Sequence, residues 1–192
     1  MIERAAVASI LLAAGRSTRF GDADKLLTRI GGVPLAMLAA KAIVDLRPAR
    51  RIAVCADDDG ALAMMLHAEG FEIVVNARPD AGLSESLRLG IDAVTRGRES
   101  AALLSLADMP FVRTSHLEAL LQRFDTEAAP IVASSRGGQP MPPALFGRPA
   151  FGALKEARGD EGGRALLASA ALVPAPADQL ADIDRPEDLS SG

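Results

Sequence analysis

The 192-residue chain has no tryptophan, no tyrosine and six phenylalanines, so aromatics make up only 3% of it. Stacking platforms for single-stranded nucleic acid are therefore not expected. A single cysteine, Cys55, excludes an internal disulfide, and two histidines leave no Cys/His zinc cluster to assemble. With so little cysteine chemistry, the cytoplasm is the expected compartment. An excess of basic residues is missing too: 21 Lys and Arg face 25 Asp and Glu, for a net charge of -4 and a pI near 5.2. That balance excludes a general nucleic-acid binder but leaves room for a small anion held by a few local cations. Long apolar runs are also absent. Residues 5–14 are too few to cross a bilayer and include Ser9, and the opening Met-Ile-Glu-Arg does not read as a signal peptide. Neither a nucleic acid nor a membrane is an expected partner.

Hydrophobic residues at 49% and charged residues at 24% exclude a disordered chain. Thirty-seven alanines make much of that apolar content small and helix-favouring. The length suits one domain over residues 1–192, and a chain of this size buries roughly 70% of its unfolded surface. Short apolar runs alternate with helix-like segments. Strands are expected at 5–12, 51–56, 71–75, 101–106 and 130–134. Helices are expected at 34–46 with Pro34 at its first position, at 57–68 with an acidic start, at 84–96 with a Ser84 cap, and at 114–124. Residues 137–149, rich in Gly and Pro, read as irregular. Short helices at 149–157 and 162–169 follow, then an apolar piece at 170–173 and a tail that ends in a helical turn. Continuous apolar strands alternating with helices predict an α/β fold: a mostly parallel central sheet in a three-layer α/β/α, Rossmann-like arrangement. Ligands in such sheets bind beyond the carboxyl ends of the strands.

Four clusters follow strands or close the chain. After the first strand comes Leu12-Ala13-Ala14-Gly15-Arg16-Ser17-Thr18-Arg19-Phe20-Gly21, then Lys25. A glycine there lets backbone N–H groups approach a phosphate, and Arg19 and Lys25 add two cations suited to a polyphosphate. It is neither a Walker A loop nor a G-x-G-x-x-G loop, and it reads equally as a turn with solvated basic residues. In Leu106-Ala107-Asp108-Met109-Pro110, Asp108 is placed either to hold a hard divalent cation or to cap a turn. Asn76 and Gly82-Leu83-Ser84-Glu85-Ser86 form either an anion- or ribose-friendly helix start or simple capping by Ser84. Asp182 and Asp184 offer a second carboxylate if the tail meets Asp108. The run Asp57-Asp58-Asp59 reads as a solvated helix start, the loop carboxylates Asp22 and Asp24 carry no role, His67 and His116 read as structural, and Cys55 as core.

Taken together, Leu12-Ala13-Ala14-Gly15-x-Ser17-x-Arg19-x-Gly21-x3-Lys25 resembles the signature of the NTP transferases built on the glycosyltransferase-A-like nucleotide fold. Asn76 with Gly82–Leu87, Leu106–Pro110, Pro142-Pro143-Ala144-Leu145-Phe146-Gly147, Gly159-Asp160-Glu161-Gly162-Gly163-Arg164 and Ile183-Asp184-Arg185-Pro186-Glu187-Asp188-Leu189 extend the likeness over nearly the whole chain. The branch it most resembles is the molybdenum cofactor cytidylyltransferases. Arg185 departs from that pattern, where relatives often carry Thr.

The resemblance implies roles by position. The backbone of Leu12, Ala13, Ala14 and Gly15 would hold base and ribose. Arg19 and Lys25 would bind the triphosphate, while Asn76, Gly82, Ser84 and Ser86 would line the nucleoside pocket. Asp108 would hold Mg²⁺ with Asp184, Asp182 being the reserve. Pro143, Phe146, Gly159, Asp160, Gly162 and Arg164 would face the acceptor. It implies transfer of CMP from CTP to the terminal phosphate of molybdopterin, with pyrophosphate released and a molybdoenzyme receiving the product. Rival readings are a guanylyltransferase using GTP, a transferase to another phosphorylated acceptor, and a non-catalytic nucleotide-binding maturation factor. Ala14, in place of the glycine that guanylyltransferases tend to carry, would favour a one-ring base.

Overall fold

The computed structural model describes residues 1–15, 25–158 and 163–183. In chain order its elements are β1 Val7–Ala13, β2 Arg29–Ile30, β3 Val33–Pro34, α1 Leu35–Leu46, β4 Arg50–Cys55, α2 Ala61–Ala68, β5 Glu72–Val75 and α3 Leu83–Thr95, followed by β6 Ala101–Leu106, α4 Thr114–Arg123, β7 Ile131–Arg136, β8 Gln139–Gly147, α5 Phe151–Glu156, α6 Arg164–Leu167 and β9 Ala171–Pro174. Seven strands form one sheet in the order β5-β4-β1-β6-β8-β7-β9, and β2 and β3 make a small separate ribbon.

The sheet is mostly parallel, as expected. β1 pairs in parallel with β4 and β6, β4 with β5, and β7 with β9. β8 is the exception, antiparallel to both β6 and β7. Burial on both faces explains the apolar run of β1, which only Ser9 breaks and all seven residues of which are buried. Val7, Leu11 and Ala13 join a core cluster with Leu35 and Ile43 of α1, Leu66 of α2 and Leu117 of α4. Ala8, Ile10 and Leu12 point the other way, into a cluster with Leu87 and Ile91 of α3, Leu154 of α5 and Leu167 of α6. The chain runs from β1 outward through β4 to β5, then returns by α3 to β6 on the other side of β1. Strand order thus reverses at the centre of the sheet, where such folds place their ligands.

The largest departure from expectation is residues 137–149. Residues 139–147 of that stretch form β8, a strand inside the sheet rather than irregular chain. Pro140, Pro142 and Pro143 supply no N–H to a ladder, and prolines argue against a central strand. Yet Ala144, Leu145 and Phe146 are fully ladder-paired on both sides. The Gly137-Gly138 turn that joins β7 to β8 has φ of 58° and 83°, the left-handed pair a two-residue hairpin requires. Smaller corrections concern helix starts. α1 begins at Leu35, after Pro34. α2 begins at Ala61, so the three aspartates precede it, and Asp57 instead accepts a hydrogen bond from the Gly60 N–H at 2.9 Å. α3 has Gly82 at its N-cap position, and Ser84 lies buried inside the first turn. No helix among the described residues is long and apolar enough to cross a membrane.

Candidate active site

The carboxyl ends of β1 and β6 are tied together by the Ala107 N–H, which donates to the Leu12 carbonyl at 3.0 Å. Beyond that tie the chain alternates. Ala107 and Met109 are buried, at 1% and 2% exposure, so Asp108 between them is turned the other way. Lys25, on the 3-10 turn Lys25–Leu27, is buried at 6%. Its Nζ donates to Asp108 Oδ2 at 3.0 Å. The other carboxylate oxygen, Oδ1, is buried and has no hydrogen-bond partner among the described residues. A buried carboxylate oxygen left unpaired is costly unless a cation or donor reaches it. Residues remote in sequence, 25 and 108, thus meet beyond the carboxyl ends of β1 and β6.

The tail also returns to this place. Leu180 and Ile183 are core residues, and the Ile183 N–H donates to the Asp108 carbonyl at 2.9 Å. Asp182 is exposed. Arg19, Gly159, Asp160, Gly162 and Asp184 lie outside the described residues. Arg164 opens α6 and is exposed. Among the described residues no group of three or more His, Cys, Asp or Glu side chains comes together to hold a metal.

At the end of β1, Leu12, Ala13 and Ala14 are buried, with Ala14 only 3% exposed in the α3-side core. Gly15 is exposed, and a Cβ there would meet nothing within 4 Å. Internal packing among the described residues therefore does not demand its glycine. The neighbouring loop is built around Asn76, which is completely buried. Its backbone N–H donates to the Cys55 carbonyl, its Nδ2 donates to Ser86 Oγ at 2.9 Å, and its Oδ1 accepts the Arg78 N–H at 2.9 Å. Asn76 and Ser86 thereby shape the loop from beneath. Gly82, with φ 88° and ψ 177°, holds a conformation open only to glycine and turns the chain into α3. Behind it, Glu85 accepts from Arg88 and Arg78, which hold its carboxyl down to about 2.

On the acceptor side of the reading, Pro143 and Phe146 are both buried, Phe146 at 1% in the α3-side core, while Met141 and Pro142 are half-buried. Phe146 serves packing. Cys55 is core, its thiol pushed up to about 12 by burial and by Asp57. His67 is exposed on α2. His116 is buried and bonded to Ser134 Oγ at 2.8 Å, and burial lowers its basicity. No spacing signal announced that contact, because its partners lie on different elements.

A family model described as the MobA-like NTP transferase domain matches residues 9–175. The purine catabolism protein PucB of Bacillus subtilis is 30% identical over 193 residues, covering 93% of this chain and 92% of its own. The molybdenum cofactor guanylyltransferase of Cupriavidus metallidurans is 30% identical, covering 78% of this chain and 72% of its own. The bifunctional protein GlmU of Sphingopyxis alaskensis is 30% identical over 74% of this chain, which spans only 31% of that relative's length. Among solved structures, Rv0371c of Mycobacterium tuberculosis superposes with a TM-score of 0.81 at 22% identity, over 96% of both chains. A structure of Rv0371C in complex with manganese does so with a TM-score of 0.73 at 24% identity, over 97% of this chain and 99% of the other. Likeness at that identity speaks for the fold. The family match, running from within β1 to just past β9, does more: the chain belongs to the MobA-like NTP transferase domain family, a family of nucleotidyltransferases.

Proposed function

We propose that the chain moves CMP from CTP to the terminal phosphate of a molybdopterin-type acceptor, releasing pyrophosphate. The observation that carries this reading is the Asp108 carboxylate beyond β6, one oxygen held by Lys25 and the other buried without a partner among the described residues. Such an oxygen fits a hard divalent cation, Mg²⁺ in this reading, which takes carboxylate and phosphate oxygens. Asp108 would hold it with Asp184, the residue after the Ile183 that is bonded to Asp108. When bound, the cation neutralises phosphate charge as it develops. The manganese complex of Rv0371C supports a divalent ion in this fold.

The chain's own residues do the rest. An oxygen of the acceptor phosphate attacks the α-phosphorus of CTP, a new P–O bond forms there, and the bond to the β-phosphate oxygen breaks. The attacking phosphate is already an anion, so no general base has to be supplied. Lys25, with Arg19, would pair with the triphosphate and steady the departing pyrophosphate. Catalysis is then positioning plus charge neutralisation. Pro143 and Arg164, with Gly159, Asp160 and Gly162, would face the acceptor, and Pro142 beside Pro143 is half-buried on the same segment. The product passes to a molybdoenzyme, and the cytoplasm is the place of reaction.

The choice of base rests on Ala13-Ala14-Gly15 at the end of β1. The resemblance at these positions carries the choice, because the Ala14 methyl itself is packed 3% exposed into the α3-side core. The alternative, GTP, is favoured by the relatives named molybdenum cofactor guanylyltransferases. Competition between the two nucleotides for one acceptor decides. We expect CTP to be preferred by at least about tenfold in kcat/KM, or ~1.4 kcal/mol, and Ala14→Gly to relax the preference. Equal use of CTP and GTP by the wild-type chain would remove the cytidylyl reading.

A further inference from the structure

A polar chain lies buried between α4, β7 and β8. His116 Nε2 stands 2.8 Å from Ser134 Oγ, and that hydroxyl donates to the Pro143 carbonyl at 2.7 Å. A hydroxyl has one proton, and here the carbonyl takes it. The Ser134 oxygen must therefore accept from His116, which fixes the ring as the Nε2–H tautomer. Burial keeps the ring neutral, with His116 7% exposed and Ser134 wholly buried.

The chain ends at a break in the sheet. Ala133 pairs with Ala144, but Ser134 pairs with Met141, so Pro142 and Pro143 are left over between the two registers. Neither proline has an N–H with which to hold the ladder. The Ser134 hydroxyl is what anchors this bulge to β7. On its other side β8 pairs with β6 as far as Leu104–Ala144, so the two prolines follow beside the carboxyl end of β6, the end that leads into Asp108. His116 belongs to α4, the helix that follows the Asp108 loop. One hydrogen-bonded chain thus couples the element after Asp108 to the segment alongside it.

We infer that His116 and Ser134 are positioning residues for the acceptor: they fix the Pro142–Pro143 bulge at the end of β6 and so set where the acceptor phosphate lies relative to Asp108. The inference rests on the reading of that segment as facing the acceptor. Both residues are buried beneath the segment, and they act through it. The nucleotide side, built on β1, Lys25 and the Asn76 loop, does not depend on them.

The test is steady-state kinetics of the full chain with molybdopterin, CTP and Mg²⁺, varying each substrate in turn. Ser134→Ala and His116→Phe break the chain, whereas His116→Gln keeps an N–H donor at similar reach. Because small displacements of a reacting group carry large kinetic costs, Ser134→Ala and His116→Phe should raise the KM for molybdopterin about tenfold or more. The KM for CTP, and CTP affinity measured without acceptor, should stay within about twofold, and His116→Gln should stay within about threefold of wild type throughout. A folded Ser134→Ala chain with an unchanged molybdopterin KM, or with both KM values raised alike, would overturn the inference. If Ser134→Ala does not fold, the contrast between His116→Phe and His116→Gln decides in the same way. A wild-type chain that fails to use molybdopterin at all overturns the acceptor reading and this inference with it. Wild-type turnover without the contrast overturns the positioning role alone.

Discussion

Asp108 owes its place to its neighbours. Ala107 and Met109 are drawn into the core on either side of it, the Ala107 N–H is held by β1, and the Asp108 carbonyl is held by Ile183. The side chain between these anchors has little choice of direction, and Lys25 meets it at 3.0 Å. A lysine buried to 6% is expensive to keep charged unless an anion stays close, so this ammonium is placed for charge work. Lys41 is a useful contrast: it is exposed on α1 and pairs with Asp45 four residues on. We expect Lys25→Ala to weaken CTP binding, read by calorimetry, by about tenfold or more, because charge-assisted contacts to phosphate are lost. Lys41→Ala should leave affinity unchanged, since exposed pairs of this kind contribute about 0.5 kcal/mol to the fold and nothing to the site. Equal effects of the two changes would remove Lys25 from the phosphate site. At this scale the position of Asp108 was legible, because an aspartate directly follows the buried strand β6. The sequence was not legible where a role depends on partners. Asn76 reads as a nucleoside-pocket residue in sequence, and the structure buries it with its backbone N–H, Nδ2 and Oδ1 all bonded within the protein. His116 reads as structural, but its partner Ser134 lies on another element and could not be named from the sequence.

The central strands β1 and β6 were readable because both faces are buried, which makes them near-continuous apolar runs that need no knowledge of partners. β8 was not, because its prolines mark a bulge whose repair comes from a hydroxyl on another strand. Helix starts other than that of α4 moved by one to four residues, since caps depend on local geometry: α3 starts at Leu83, with Gly82 rather than Ser84 at its N-cap. The same helix shows how packing overrides propensity. Gly90 lies on its sheet-facing side, where an added Cβ would stand 2.7 Å from Ile10 Cγ2 and 3.4 Å from Val54 Cγ2. Ile10 is β-branched, fully buried and unable to yield by rotating a flexible end. Alanine is the better helix former by about 1 kcal/mol. Even so, Gly90→Ala should lower stability by about 1–3 kcal/mol, because overpacking pushes α3 off β1. Chemical denaturation checks this, and a stabilised Gly90→Ala chain would show that α3 can move without cost.

For the whole molecule, the sheet's reversal of direction at β1 gathers at one edge what the chain keeps far apart: the end of β1, Lys25, Asp108 and the returning tail. In a protein with a net charge of -4, a polyphosphate site would need such a local concentration of cations. On the proposed function, metal-dependent nucleotidyl transfer depends on the Asp108 carboxylate. The direct measurement is pyrophosphate release from CTP with molybdopterin and Mg²⁺, in the wild-type chain and in Asp108→Asn, each first shown to unfold cooperatively at a similar temperature. Asparagine nearly keeps the shape of aspartate and removes the charge that a hard cation requires. We expect metal-dependent release by the wild type and a loss of about a hundredfold or more in Asp108→Asn. Near-normal, metal-dependent release by a folded Asp108→Asn chain would contradict the account.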